Sequence, residues 1–263
     1  MSLVEYASAD GIATLTLTNP PANCYSRDMM RELDAAIVEA RFDPAVHVLV
    51  LRGAGEKFFC AGADISMLEG ADPYFKYNFC LHANETLMRL ENTAKLVIAA
   101  IDGHCVGGGL EIALACDLRI ARAGAGKCGL PEVKLGVLPG TGGTQRLVRT
   151  LGKAKAIELM ITGDLFEHER ALELGIYNQL WAADSHAHFH TKVLDWAKQF
   201  VPPNTASRAV GLIKRACQSG ADVGLAEGLA LERELQQRLF ESADAREGLE
   251  AHVARRKPEF TGR

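Results

Sequence analysis

Two isolated glutamates beside glycine-rich turns are the residues of this sequence best suited to chemistry. Glu111 is the only charged residue of the apolar segment 111–116, which follows a glycine triplet at 107–109. Glu132 is a second isolated acid, twenty-one residues later, and a glycine-rich run at 139–143 follows it. A carboxylate in a buried stretch is costly unless it has a partner or a task. The pattern therefore indicates acid/base chemistry beside backbone N–H groups that can bind an anion.

Each of these features also has a purely structural interpretation. Glu111 would suit the exposed face of an amphipathic helix, although its apolar neighbours disfavour a surface position. Glu132 follows Pro131, and an acid there is a common way to begin a helix. The glycine triplet would let a helix pack closely on a sheet. Taken alone, Glu132 leaves both interpretations open.

Composition predicts an ordinary globular protein. The chain has 263 residues, of which 48% are hydrophobic and 24% are charged, enough for one large domain or a core with an appendage. The net charge of −4 provides no overall attraction for nucleic acid or an acidic membrane. Seven cysteines without a C-x-x-C pair argue against a disulfide framework and favour a reducing compartment.

The sequence gives no sign of a targeting or membrane segment. The first ten residues lack the basic and apolar parts of a secretory signal. The most apolar region, 96–116, is interrupted by Asp102, His104 and Glu111, so it falls short of a membrane-spanning helix. We expect a cytoplasmic protein, or one of an organelle matrix if a transit peptide has been removed.

Hydrophobic periodicity predicts an α/β core followed by helices. Residues 12–18 alternate as a half-buried strand does, Ser26 can cap a helix that ends near Asp43, and 46–51 and 96–101 are short β-branched runs typical of buried strands. From about residue 166 the pattern is helical, with amphipathic segments near 167–174, 185–200, 205–218, 222–240 and 244–254. A proline break at 201–204 separates an α/β core, 1–200, from a helical region, 201–263.

Three ordered sequence blocks carry a resemblance to a known family. They are 58–65 (FFCAGADI), 100–117 (AIDGHCVGGGLEIALACD) and 129–147 (GLPEVKLGVLPGTGGTQRL). Together with shorter matches at 159–164 and 245–249, they resemble the crotonase, or enoyl-CoA hydratase/isomerase, superfamily along nearly the whole chain. Three blocks at the family's spacing are far more specific than one glycine run.

The resemblance implies a spiral of repeated β-β-α units, with C-terminal helices that form homotrimers, commonly paired as hexamers. It also implies stabilisation of a thioester enolate by two backbone N–H groups, which would be those of Ala63 and Gly108. In a hydratase of this family, Glu111 would activate water for attack at Cβ and Glu132 would protonate Cα. Because two carboxyls share one water, the division of roles between them stays open.

The same resemblance implies contacts to an acyl-CoA substrate, whose CoA is part of the substrate, so no separate cofactor or metal is expected. The candidates are the backbone around Ala22 and Asn23, the turn from Ala61 through Asp64 to Ile65, Leu138 near the second acid, and Phe240 and Lys257 of this chain or a neighbouring subunit. Phe240 would equally suit a helix core, and residues 255–257 a solvated basic tail. Segment 67–82 would line the acyl pocket, with a lean toward a short or medium acyl group. One departure is that 119–129 is one residue longer than the usual pattern, which would displace Glu132 if the loop carried the change forward.

Other functions are weighed against the hydratase. A double-bond isomerase or an acyl-CoA decarboxylase of the same superfamily would keep the two N–H donors and change the acids, so retention of Glu111 and Glu132 favours hydration. Some superfamily members resemble RNA-binding proteins, but an acidic chain with 6% aromatic residues lacks the basic, aromatic face that role needs. His186, His188 and His190 alternate on a predicted helix, and alternate residues do not share a helix face, which disfavours a metal site.

Overall fold

A computed structural model describes residues 2–263, which form two β-sheets and eleven α-helices. The strands are Val4–Ala9 (β1), Ile12–Leu17 (β2), Val48–Gly53 (β3), Phe58–Cys60 (β4), Leu96–Ile101 (β5), His104–Val106 (β6), Leu118–Arg122 (β7), Lys127–Gly129 (β8), Phe166–Glu167 (β9) and Gln179–Trp181 (β10). The helices are Arg27–Phe42 (α1), Ile65–Glu69 (α2), Pro73–Glu91 (α3), Gly108–Leu114 (α4), Gly143–Leu151 (α5), Lys153–Thr162 (α6), His168–Leu174 (α7), His186–Ala197 (α8), Ser207–Gly220 (α9), Leu225–Phe240 (α10) and Ala243–Ala254 (α11). Short 3₁₀ helices span Glu132–Leu135 and Lys198–Phe200.

The larger sheet has the order β1-β2-β3-β5-β7-β10 and is buried on both faces at its centre. Only β1 and β2 pair antiparallel, and the remaining neighbours are parallel. All six residues of β5 are buried: Val97 and Ala99 belong to the main core, while Ile98 and Ala100 pack with α8 on the other face. A continuous apolar run is what a central parallel strand requires, because neither of its faces meets water.

The smaller sheet, in the order β4-β6-β8-β9, arises from a repeated β-β-α path. The chain leaves β3, β5 and β7 through short corners and enters β4, β6 and β8, after which it turns into α2, α4 and the first 3₁₀ helix. Because β4, β6 and β8 pair in parallel, these three turns lie side by side at one edge. The predicted spiral of β-β-α units is confirmed, and it brings the three sequence blocks together.

Most of the predicted elements are present, with ends that coincide with the predicted ones or differ by at most three residues. The strands expected at 12–18 and 96–101 are β2 and β5, and Ser26 caps α1 by accepting the N–H of Met29 at 3.2 Å. The five predicted late helical segments correspond to α7 through α11. In the described residues no helix is long and apolar enough to cross a membrane. The boundary at residue 200 stays a prediction, and α9 packs both on β5 and on α10.

A buried asparagine holds the turn that leads into the site. Asn23 is 2% exposed and adopts a left-handed φ of 51°, which asparagine tolerates better than most residues. Its Nδ2 donates to the carbonyls of Ala54 and Phe58, both at 2.9 Å, and its Oδ1 accepts the N–H of Asn19 at 3.2 Å. The side chain therefore ties the β2–α1 loop to the corner between β3 and β4.

We expect Asn23→Ala to lower the free energy of unfolding by roughly 2–4 kcal/mol, because it leaves two partly buried carbonyls and one N–H without their hydrogen-bond partner. Denaturant melts of the parent and the variant measure the loss, and Asn92→Ala, which removes an exposed amide bonded to Met88, is the matched control. Unchanged stability together with weaker CoA binding would contradict this structural role and favour a substrate contact for the side chain.

Candidate active site

Two backbone N–H groups meet where α4 begins. Gly107 adopts a φ of 56° and Gly62 a φ of 96°, both in the left-handed region that favours glycine. A β-carbon at Gly62 would lie 3.1 Å from the nitrogen of Gly108, so the turn that carries Ala63 passes directly over the first turn of α4. Within residues 2–263, the N–H groups of Ala63 and Gly108 donate to no protein acceptor. They form a pair of free donors on adjacent turns, the arrangement that stabilises an oxyanion.

Tyr25 fixes the position of the Ala63 turn. Its N–H donates to the carbonyl of Gly62 at 2.9 Å, and its carbonyl accepts the N–H of Asp64 at 3.0 Å, which forms a parallel bridge to Ala63. The ring then reaches Gly108, where a β-carbon would lie 2.3 Å from Tyr25 Oη. Glycine at 108 is therefore required by space as well as by the exposed donor.

The Glu111 carboxylate is buried and held by three donors from the glycine-rich loop. Oε1 accepts the N–H of Thr141 at 2.8 Å and that of Gly143 at 2.7 Å, while Oε2 is hydrogen-bonded to the Thr141 hydroxyl. A β-carbon at Gly143 would lie 3.0 Å from Oε1, so a side chain there would press on the carboxylate. Burial raises the pKa of Glu111 above its usual value, and the three hydrogen bonds and Arg146 oppose that shift.

Glu132 lies beside the same helix start in a different environment. It begins the 3₁₀ helix after β8, and its Oε1 would be 3.0 Å from a β-carbon at Gly107. Its Oε2 is buried without a hydrogen-bond partner among the described residues. Burial, with a smaller contribution from the Glu111 charge, raises the pKa of Glu132 to about 7. The pair thus combines a buried carboxylate held by three hydrogen-bond donors with one that favours its protonated form.

The longer segment 119–129 leaves Glu132 next to α4. The turn at 123–126 lies at the corner between β7 and β8, at the far end of β8 from Glu132. At the near end, the carbonyl of Gly129 accepts the N–H of Gly107 at 2.9 Å. The pairing of β8 with β6 therefore fixes Glu132 relative to α4.

The other candidate residues divide into two groups. Near the site, the carbonyl of Ala22 accepts the N–H of Ala61 at 3.0 Å, and the Asp64 side chain caps the start of α2. The apolar side chains of Ile65 and Leu138 are exposed. At the far end of the chain, the exposed Phe240 lines an apolar cavity with Leu249 and Phe260, and the exposed Lys257 follows α11. The lining of that cavity contains neither glutamate.

Sequence reasoning missed two residues of the site. Tyr25 and Thr141 are 2% and 1% exposed, and their hydroxyl oxygens are 3.1 Å apart. Thr141 lies within the glycine-rich run and Tyr25 within an ordinary loop, so neither has an informative local pattern. The proximity of Thr141 to Glu111 depends on the packing of α5 against α4, which one sequence does not display.

A second polar cluster was also unforeseen. His186 and His190, four residues apart on α8, share a helix face and lie within 4.8 Å of Asp102, a set that could hold a metal ion. The expectation that these histidines do not converge was wrong for this pair, because the relevant spacing is i to i+4. Protein groups already occupy both His186 nitrogens: Nδ1 is 2.6 Å from Asp102 and Nε2 is 3.1 Å from Arg52.

Comparison with known proteins finds similarity along the whole chain. The family model described as enoyl-CoA hydratase/isomerase matches residues 7–263. A probable enoyl-CoA hydratase of Rhizobium meliloti is 39% identical over 99% of this chain and 98% of its own length. The short-chain-enoyl-CoA hydratase of Clostridium acetobutylicum is 36% identical over 94% of this chain and 93% of its own length. The crystal structure of an enoyl-CoA hydratase from Geobacillus kaustophilus has a TM-score of 0.96 and 42% identity, covering 100% of this chain and 98% of the other.

We expect Glu132→Gln to be more stable than the parent at pH 8 and nearly equally stable at pH 4, below the unfolded pKa. The folded-state pKa of Glu132 is about 7, above the unfolded value of 4.5, so its stabilising contribution is complete below the unfolded pKa and is lost as the pH rises through about 7. Melting temperatures at the two pH values measure the difference, with the exposed Glu39→Gln as control. An equal difference at both pH values would show that Glu132 titrates normally.

Proposed function

This chain is an enzyme that belongs to the enoyl-CoA hydratase/isomerase family, and we propose that it adds water across the trans-2 double bond of an enoyl-CoA thioester. The observation that carries the proposal is the meeting of two unlike carboxyls, Glu111 and Glu132, at the helix start that offers the Gly108 N–H. The hydratases named above support it through similarity along their whole length.

The thioester oxygen would be bound by the N–H groups of Ala63 and Gly108. As water adds at Cβ, the π electrons of the double bond move toward the thioester, and negative charge develops on that oxygen. Fixed donors stabilise this charge without having to reorganise, which is the usual source of a large rate effect. The dipole of α4 points its positive end at the same place.

Glu111 would take the proton of the attacking water, and Glu132 would give a proton to Cα. Three hydrogen bonds keep Glu111 able to carry a negative charge, as a base must. The pKa of Glu132, raised to about 7 by burial, leaves it protonated at neutral pH to a useful extent, as an acid must be. The π bond and two O–H bonds, one of water and one of Glu132, break, while a C–O bond, a C–H bond and an O–H bond on Glu111 form. The proton gained by Glu111 must return to Glu132, directly or through solvent, before the next turnover.

Three stacked aromatic rings form one wall beside Gly108, and they favour a substrate with a short or medium acyl group. The Tyr25 ring stacks on Phe79 with centroids 5.7 Å apart, and Phe75 continues the stack at 6.2 Å from Phe79. Because Tyr25 Oη lies against Gly108, this wall would begin beside the reacting carbons of a thioester bound by the Gly108 N–H. Leu138 and the exposed Ile65 would contribute apolar surface on the way to CoA.

We further propose that the chain assembles as a homotrimer, with pairing of trimers to a hexamer. Large apolar side chains are exposed on late helices, including Ile157 and Ile161 of α6, Ile213 of α9, and Leu225 and Leu229 of α10. Several large exposed apolar side chains on one set of helices are typical of a protein–protein interface. An assembly would also let Phe240 and Lys257, which are remote from the glutamates within one chain, contact CoA bound to a neighbouring chain.

We expect Glu111→Gln and Glu132→Gln each to slow hydration by at least about a hundredfold, the scale of a general acid or base contribution. Loss of the enoyl-thioester absorbance is followed for enoyl-CoAs of increasing acyl length, with Glu39→Gln as the matched surface control. Hydration at the parent's rate by either Glu111→Gln or Glu132→Gln would refute the two-carboxyl mechanism. Double-bond migration without hydration in the parent would favour an isomerase instead.

For the assembly, we expect light scattering to give three or six times the chain mass of 28.4 kDa. Dilution should lower the mass in steps of the trimer if hexamers form from trimers. A mass of one chain at micromolar concentration would contradict the proposed assembly.

A further inference from the structure

Three buried side chains form a continuous hydrogen-bonded line that ends at Glu111. Tyr25 Oη lies 3.1 Å from Thr141 Oγ1, and Thr141 Oγ1 bonds to Glu111 Oε2. Tyr25 and Glu111 are each 2% exposed and Thr141 is 1% exposed. Acid/base chemistry between the two glutamates does not by itself require either hydroxyl.

The chemistry of the groups fixes the direction of donation. A carboxylate can only accept, so the single hydroxyl proton of Thr141 points to Glu111 Oε2. Thr141 Oγ1 is then left as an acceptor, and the proton of Tyr25 Oη points to it. Burial next to Glu111 raises the pKa of the Tyr25 phenol well above its usual value, so the phenol keeps that proton at neutral pH.

The two carboxylate oxygens of Glu111 are held differently. Oε1 accepts two backbone N–H groups, from Thr141 and Gly143, and neither donor can rotate or reverse. Oε1 must therefore remain an acceptor in both protonation states, as the carbonyl oxygen of the acid. A proton taken up by Glu111 belongs on Oε2, whose partner is a hydroxyl that can rotate.

We propose that Tyr25 and Thr141 are positioning residues that keep Glu111 oriented and fully hydrogen-bonded in both its carboxylate and its carboxylic acid form. This inference rests on the proposed role of Glu111 as the base for water. When water gives its proton to Oε2, the new O–H donates to Thr141 Oγ1, the Thr141 hydroxyl turns to donate to Tyr25 Oη, and the Tyr25 proton turns toward Gly108. Each hydroxyl keeps one proton throughout, and the only covalent transfer is from water to Glu111.

The position of Tyr25 suits this task. Its backbone is bridged to Ala63 and its ring is stacked on Phe79, so the phenol is held at both ends. Its oxygen lies against Gly108, the residue that offers the second of the two free N–H donors. The same residue would thus link the oxyanion donors to the base.

Few other charged or titratable groups act on this line. Glu132 faces Glu111 from the 3₁₀ helix, and Arg146 approaches from α5, although Glu91 already pairs with its guanidinium at 2.6 Å. Cys60 and Cys80 approach Tyr25 from β4 and α3. Burial raises the pKa of Glu132 to about 7, so removal of Glu132 is the control for the pH measurements.

The kinetic test compares Tyr25→Phe, Thr141→Val and Thr141→Ser. We expect Tyr25→Phe, which keeps the aromatic stack, to lower kcat about tenfold with KM nearly unchanged, the scale of one hydrogen bond to a charged network. Thr141→Val should lose more, and Thr141→Ser, which keeps the hydroxyl, should recover most of that loss. The double variant Tyr25→Phe/Thr141→Val should be no slower than Thr141→Val, because the phenol acts only through Thr141.

The pH profile separates positioning from packing. Removing a donor from the Oε2 side raises the pKa of Glu111, so the acid limb of kcat/KM should move to higher pH in Tyr25→Phe and Thr141→Val and stay there in the Glu132→Gln background. An unchanged kcat and acid limb in Tyr25→Phe would overturn the proposal. Losses that multiply in the double variant would do so as well, since they would show two independent packing effects.

A titration without substrate keeps this test separate from the proposed function. The Glu111 carboxyl is followed by NMR in ¹³C-glutamate-labelled parent, Tyr25→Phe and Thr141→Ser proteins, and the signal is assigned by its loss in Glu111→Gln. A higher pKa in Tyr25→Phe than in Thr141→Ser supports the hydrogen-bonded line, and equal values overturn it. If the parent hydrated no enoyl-CoA, the proposed function would be wrong, but the titration would still test the hydrogen-bonded line of Tyr25, Thr141 and Glu111.

Discussion

The burial of the Glu111 carboxylate is the constraint on which the rest of the site depends. A carboxylate taken out of water loses several kcal/mol of solvation unless fixed donors replace the water. Here the replacement comes from the loop before α5, whose two backbone N–H groups and one hydroxyl reach Glu111 across the start of α4. The absence of a side chain at Gly143 leaves room for the carboxylate, and the packing of α5 on α4 keeps the donors within reach of it.

The difference between the two glutamates comes from their surroundings. Glu111 has three donors, whereas Glu132 Oε2 has none among the described residues, and burial raises the pKa of Glu132 to about 7. Carboxyls of equal intrinsic strength are thereby placed in unlike surroundings, one with three hydrogen-bond donors and one with an unpaired buried oxygen. Their closeness reinforces the separation, because a negative Glu111 opposes ionisation of Glu132.

The structural features that depend on local sequence pattern or on the three sequence blocks could be predicted from the sequence. The strands β2 and β5, the Ser26 cap and the late helices follow from periodicity, and the spiral and the convergence on Gly108 follow from the resemblance. What it could not supply were contacts between residues far apart in the chain. Tyr25 meets Thr141 across 116 positions, and Asp102 meets His186 across 84, with no periodic pattern to announce either contact. The resemblance predicted a CoA contact for the backbone around Asn23, and it gave no sign that the Asn23 side chain hydrogen-bonds within the fold.

The corners between the two sheets separate variation in chain length from the catalytic geometry. Each β-β-α unit turns once at a corner and once at the site, with a paired strand between the two turns. The corner glycines Gly55 and Gly124 have open space around them, whereas Gly103 and Gly126 pack against neighbouring backbone. Additional residues near 55 or 124 would therefore extend into solvent without shifting the strands. The corner loops can thus accept insertions while the residues at the opposite ends of β4, β6 and β8 keep their positions. These corners are therefore suitable points for grafting new surface loops onto the enzyme.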